Sequence, residues 1–406
     1  MRLSLLDWIS VGLAGRDEPV AQIIRTMVCD EAGQGQASLF GDASRLPARA
    51  AALANGTISH ALDYDDTHFA HIGHPSVVVL PAALAVAEAE KAEGPAFLNA
   101  ALLGVEASIR IGLWLGRSHY QAGFHQTATA GAFGATVAAA KLMGLSTAQT
   151  ETALNLVATR ASGLKSQFGT MGKPYNAGIA ASNGVECATL ARLGMTAAQD
   201  GLATGQGFGP THSGTLETAL FDADGHWHFD RISHKFHACC HGTHAALDAL
   251  ITLVPQITGE IEKITITTHP RWLSVCNIKV PRTGLEVKFS YAHTAAMALS
   301  GLSTAALDSF SDKVAGDVAL KSLASRVEVQ ATDTMAETAA TVSVRTASGQ
   351  FEASYDLADP QLPQALPARL KAKSAALLGQ DTAADIWRGG EKGADPDQIG
   401  TLLRTS

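Results

Sequence analysis

The sequence is short of charge, of aromatic residues and of patterned cysteine, and each shortage excludes something. Charged residues are 17% and aromatics 6% of 406 residues. The formal charge of −8 is spread along the chain, and no run of lysine and arginine with interleaved aromatics exists to track a phosphate backbone. Nucleic acid is therefore not an expected partner. The five cysteines, Cys29, Cys187, Cys239, Cys240 and Cys276, are an odd set without regular spacing; this pattern predicts reduced thiols in a cytoplasmic protein rather than a disulfide framework. The longest apolar run, Val77–Ala87, is eleven residues and holds Pro81, too short to span a bilayer. No membrane is expected as a partner. The N-terminus MRLSLLDWISVGLAG resembles a signal peptide in its arginine and apolar segment, but Asp7 interrupts it and no clean small-residue cleavage site follows. It reads as a helix of the mature protein. GxSxG, Walker A and dinucleotide fingerprints are missing too.

What is present is an apolar chain, 46% hydrophobic, long enough for two domains. So little charge predicts that some apolar surface meets another subunit, as in a homo-oligomer. Up to about residue 220 the sequence is rich in Ala and Leu at helical spacing, with small residues in GAFGATVAAAKLMG (131–144) that let helices approach closely. Gly144, Gly194 and Gly201 fall at expected helix ends. Near residue 235 the character changes. EKITITTH (262–269), SRVEVQAT (325–332) and ATVSVRTASGQFEASYDL (340–357) read as strands, the last a hairpin turning at Ser348 and Gly349. With helices at 241–254 and 289–308 on one face of antiparallel strands, they predict an α+β domain. After Pro363 and Pro367 the helical pattern returns, and the tail is expected to pack on the first domain.

Polar residues concentrate in four places, and burying charge without a partner is costly, so function is sought there. HALDYDDTHFAHIGHPS (60–76) packs three Asp, four His and a Thr into one segment. On a helix, Asp63 and Thr67 share a face and Asp66 lies a turn beyond Asp63; singly, either aspartate reads equally as a capping or solvated residue. His74 precedes Pro75, which puts it on a loop at a helix end. In GFHQTATAGAFG (123–134), His125 precedes a glycine-rich helix, although a lone histidine is more often structural. In FGTMGKPYNAG (168–178), Lys173 sits between Gly172 and Pro174, read as a tight non-helical turn aiming an ammonium group into a cleft. In SHKFHACCHGTHAALDAL (233–250), Lys235 precedes a cysteine pair, with His241 and His244 at a helix start. Adjacent Cys239 and Cys240 lack zinc-ligand spacing and no second ligand pair follows, so neither zinc nor an aspartate-based magnesium site is expected. The thiols read as packed side chains. Lysines and protonated histidines hold substrate carboxylates and stabilise an enediolate, while histidine and aspartate suit proton transfer near neutral pH. A metal-free, cofactor-free acid/base site on a polycarboxylate is the simplest chemistry for this inventory.

HALDYDDTH with GHPS, GFHQTATAGAFGA, GTMGKPYNAG with ASNGVECATLA, and KFHACCHGTHAALDA resemble, in this order, the MmgE/PrpD family. That family includes 2-methylcitrate dehydratase, cis-aconitate decarboxylase and iminodisuccinate epimerase. The resemblance implies a mainly α large domain from both chain ends, residues 1–235 and 361–406, a smaller α+β lid domain of residues 236–360, a homodimer, and an active site in the cleft between the domains. It places Asp63, Thr67, His74, His125 and Lys173, with Lys235 and His244, at that site; with the chemistry above, catalytic roles are expected of His74, His125, Asp63 and Lys173, and substrate binding of Thr67, Lys235, His244 and the nearby lid residues His293 and Tyr291. The sequence departs from the family in three ways. Asn176 stands where many relatives have a His after the KP pair, the lid tyrosine is shifted or replaced in KFSYAHTAAM, and the helix usually preceding DWISVGLAG is largely missing. The leading expectation is a hydro-lyase of the 2-methylcitrate dehydratase kind. An iminodisuccinate-type epimerase and a cis-aconitate-type decarboxylase are the enzyme alternatives, and a degenerate carboxylate-binding structural dimer with a closed or apolar cleft is the non-enzyme one.

Overall fold

A computed structural model describes all residues except 32, 218–220, 222–224, 360–363, 392 and 405–406. The chain divides into two compact units, Met1–His234 with Leu378–Ser406, and Lys235–Leu377. Of the boundaries read from the sequence, the one at 360/361 lies outside the described residues, as does Pro363. The helix Ala365–Leu378 lies almost wholly in the second unit.

The first unit is helical: α1 (Arg2–Gly15), α2 (Pro19–Glu31), a β1–β2 hairpin (Ala37–Leu39 and Asp42–Leu46), α3 (Ala48–Ser59), α4 (Ser76–Ala89), α5 (Gly94–Gln121), α6 (Gln126–Leu142), α7 (Thr147–Val157) and α8 (Gly172–Arg192). Helix α4, apolar all round, is at its centre, with Val77–Leu80 and Ala82–Ala87 essentially inaccessible. It packs against α3, α5, α6 and α8, and a helix covered on every side needs no polar stripe. Glycines let the helices close up. A Cβ on Gly104 of α5 would stand 2.6 Å from the Gly134 carbonyl oxygen of α6, and one on Gly56 of α3 would stand 2.9 Å from the Gly178 Cα of α8. Gly144 and Gly194 take left-handed φ just past α6 and α8 as expected, whereas Gly201 lies in a turn away from any helix end.

At 28 residues, helix α5 is long and apolar enough to cross a membrane by length and composition alone. Its Glu106, however, accepts from Arg110 and from the amides of His228 and Phe229, and Gly116 breaks it at φ 68°. Both features fit a helix packed within the unit. The chain end returns here: Gln380–Glu391 packs on α1 and Pro396–Leu403 on α4 and β1, with the Gly41 amide donating to the Leu403 carbonyl at 2.8 Å.

The second unit holds α9 (His244–Leu253), β3 (Ile261–Thr268), α10 (Tyr291–Leu299), β4 (Val327–Ala331), β5 (Ala339–Thr346) and β6 (Gly349–Asp356). Its four-stranded sheet has the order β4-β3-β5-β6. Alternate residues Ile264, Ile266 and Thr268, and Ala340, Val342, Val344 and Thr346, are buried, the period-2 pattern of a sheet covered on one face. The β5–β6 hairpin turns at Ser348 and Gly349 as expected. Not all strands are antiparallel, as the sequence suggested: β4 runs parallel to β3, Ile264 beside Val327. The long helical connection between them is a crossover, which delivers a parallel strand. Regular helix within 289–308 is confined to Tyr291–Leu299.

Candidate active site

Helix α3 ends at Ser59, and the chain crosses to α4 through turns and isolated bridges, not through a helix carrying Asp63 and Thr67 on one face. Asp63 takes φ 51°, a left-handed conformation that aspartate tolerates and a helix does not contain. Thr67 instead bridges Ser233, its hydroxyl 3.3 Å from that carbonyl oxygen. Pro75 is the N-cap of α4 and His125 that of α6, so both histidine placements follow the expectation. Lys173 does not. It occupies the first turn of α8, which begins at Gly172; Pro174 is accommodated because the first amides of a helix have no intrahelical acceptor.

These elements bring Asp63, His74, His125 and Lys173 together within the helical unit. Lys173 Nζ lies 2.6 Å from Asp63 Oδ2. His74 stands between two carboxylates, its Nε2 3.3 Å from Asp63 Oδ1 and its Nδ1 3.0 Å from Asp65 Oδ2. Asp65 Oδ1 also accepts from His60 Nδ1 at 2.9 Å. The His60 ring packs edge-on to His74 at 4.8 Å and near-parallel to His125 at 6.1 Å. Phe168 closes one side, 4.9 Å from the His125 ring and 5.4 Å from the Lys173 ammonium.

Asp65 and His60 were not singled out in the sequence, although both lie within HALDYDD. Burial pushes the Asp65 carboxyl up, but the His60 and His74 imidazoles outweigh it and hold the group well below the usual carboxylate range. Next to it, Asp66 is pushed up to about 7 by burial, against the pull of its hydrogen bonds from Ser76. It is the start of α4 that this aspartate caps. His125 is held well below its ordinary pKa by burial and by the nearby Lys173, so its ring is neutral at pH 7.

Lys235, His244, Tyr291 and His293 belong to the second unit and are all buried there. The Tyr291 hydroxyl donates to the Gly242 carbonyl at 2.6 Å, with Thr268 Oγ1 at 3.1 Å, and burial raises its pKa. His293 Nε2 lies 3.0 Å from the Val314 carbonyl. His244 Nε2 lies 3.3 Å from the Cys239 carbonyl, and burial holds its pKa far down.

His60, Asp63, Asp65 and His74 each offer a metal-ligand atom within 4.8 Å of the others. Their charges are already matched, because Lys173 occupies Asp63 at 2.6 Å and the two imidazoles occupy Asp65. A divalent ion would have to displace an ammonium group from the same carboxylate.

Fold and cluster define a two-unit protein whose helical part gathers histidines, carboxylates and a lysine fit for acid/base work. A family model of the MmgE/PrpD N-terminal domain matches residues 1–220, and one of the C-terminal domain matches residues 237–364; the chain belongs to the MmgE/PrpD family. It is similar to the cis-aconitate decarboxylase-like protein oryM of Aspergillus oryzae, 33% identical over 61% of this chain and 55% of the relative. It is 29% identical to cis-aconitate decarboxylase of Homo sapiens, over 63% of this chain and 55% of that protein. Cis-aconitate decarboxylase of Aspergillus terreus is also 29% identical, over 61% and 54%. The chain thus spans about half the length of the curated relatives it matches.

Proposed function

We propose that the protein is a cofactor-independent lyase that cleaves a bond next to a carboxylate of a small polycarboxylate, with decarboxylation of a cis-aconitate-like acid as the reaction. The observation that carries this reading is His74, set between Asp63 and Asp65 with a carboxylate at each ring nitrogen. That setting favours the doubly protonated ring, a proton donor more than a base. Decarboxylation needs a donor. As the carbon–carboxylate bond breaks, its electron pair becomes a new double bond, the old double bond's pair moves toward the neighbouring carboxylate, and His74 protonates the carbon left electron-rich. Lys173 and His125 supply cationic and N–H contacts to the substrate's oxygens, the electrostatic help such a charge shift requires. The similarity to proteins named cis-aconitate decarboxylases also supports this order of preference over dehydration and epimerisation, which both need a base to take a proton from carbon. The expected homodimer is part of the proposal, supported by exposed Leu273, Val275, Ile278, Val280 and Leu285 on the second unit.

The test is turnover of cis-aconitate, citrate, 2-methylcitrate and iminodisuccinate followed by NMR in deuterated water. Loss of one carboxyl carbon with a single deuteron on the product is expected. Water loss from a hydroxy acid, or exchange with inversion alone, replaces decarboxylation by the corresponding alternative. His74→Gln should lose roughly 10²–10⁴-fold in turnover while remaining folded; full turnover in that variant refutes the assignment.

A further inference from the structure

Asn176 holds the key to what His125 presents to a substrate. Its side-chain Nδ2 lies 3.3 Å from the Leu164 carbonyl oxygen and 3.2 Å from His125 Nδ1. The carbonyl accepts only, so the amide must turn its NH₂ toward it; the reverse orientation would set two oxygens against each other. The same NH₂ then donates to His125 Nδ1, which must carry a lone pair. The clamp is a built one. Asn176 is 8% exposed, the His125 amide donates to the Gly163 carbonyl at 2.9 Å, and Phe124 bridges Leu164. Nitrogen Nδ1 is thereby spent, and Nε2 has no hydrogen-bond partner among the described residues.

We infer that Asn176 is a positioning residue that fixes His125 as the Nε2–H tautomer, so that His125 offers the substrate a neutral N–H donor and not a base. The groups facing the ring agree with this. Lys173, His60 and His74 oppose a second proton, and Asp63, which favours it, is paired with Lys173. A neutral imidazole N–H is suited to holding an oxyanion without surrendering its proton. The role toward substrate rests on the lyase reading above; the tautomer does not.

The experiment separates the two. The full chain is labelled with ¹⁵N-histidine, His125 is assigned by comparison with His125→Gln, and the tautomer is read from long-range ¹H–¹⁵N correlations between pH 5.5 and 8.5. A protonated Nε2 and a bare Nδ1 throughout are expected. A proton on Nδ1, or a ring that titrates within this range, overturns the inference without reference to any substrate. In Asn176→Asp the carboxylate accepts from Nδ1, so the ring should switch to Nδ1–H and begin to titrate. Its kcat should fall roughly 10²–10³-fold at pH 8 and recover toward acid pH, where the doubly protonated ring regains its Nε2–H. Asn176→Asp with the wild-type spectrum refutes the positioning role. A changed tautomer with unchanged kcat at all pH values refutes the donor role, and an unfolded variant leaves the wild-type spectrum to decide.

Discussion

Replacing Asp65 by asparagine tests a buried part of the cluster. Asp65 is 1% exposed and meets two imidazoles, His60 Nδ1 at 2.9 Å and His74 Nδ1 at 3.0 Å. Asparagine keeps the shape and one acceptor but replaces the other oxygen by an NH₂ that points at an imidazole N–H. One imidazole must then change tautomer or lose its contact. A hydrogen bond to a charged group is worth about 1.5–3 kcal/mol, and removing one partner of a buried pair costs about 3–5 kcal/mol. Because the shape is kept, about 2–4 kcal/mol of lost stability is expected at pH 7. The sign with pH follows from the depressed folded-state pKa. The stability Asp65 supplies is complete above its unfolded pKa, near 4, and is lost as pH falls through its folded value. The gap between wild type and variant should therefore be full at pH 7 and still present at pH 5. Turnover should fall more steeply, by roughly 10²–10⁴-fold, as when a carboxylate that orients a catalytic histidine is removed in other enzymes. Urea denaturation at pH 5 and 7 with kcat on the same samples reads both quantities. Asp65→Asn within 0.5 kcal/mol of wild type, a threshold set by ordinary surface substitutions, and with unaltered kcat would show that Asp65 orients nothing.

Lys173→Ala should lose about 2–4 kcal/mol of transition-state stabilisation, the range for one preorganised electrostatic donor; unchanged kcat/KM counts against its role. Asp66 behaves oppositely to Asp65: its folded pKa is raised to about 7, so its contribution is complete below about pH 4 and fades as pH rises toward 7. Asp66→Asn should flatten the fall in wild-type thermal stability between pH 5 and 8, and an identical slope in both proteins would be the contrary result. Activity should survive dialysis against a strong chelator; loss that one specific divalent ion restores would assign His60, Asp63, Asp65 and His74 to a metal.

The parts of the site that were legible in the sequence are those that backbone chemistry announces. His74 stands before Pro75, which disfavours helix in the residue preceding it, and His125 follows Gly123 at a helix start. Misreadings came where one residue type allows two backbones. Pro174 reads in sequence as a helix breaker for Lys173 but sits in a first turn, and the spacing of Asp63 and Thr67 suggests a helix that a left-handed aspartate interrupts. The parallel pairing of β3 and β4 was illegible because register depends on how a crossover folds and not on the strands themselves. Most instructive are the carboxylates of DYDD, chemically alike in sequence and unlike in place. Asp63 is partly exposed and tied to Lys173, Asp65 is buried between imidazoles and ionised, and Asp66 is buried against Ser76 and poised to hold a proton near neutrality. Composition counts three acids there, but only burial and partners divide them into one that binds a cation, one that orients histidines and one that caps a helix. The division of labour that the proposed chemistry needs is thus created by the turn between α3 and α4.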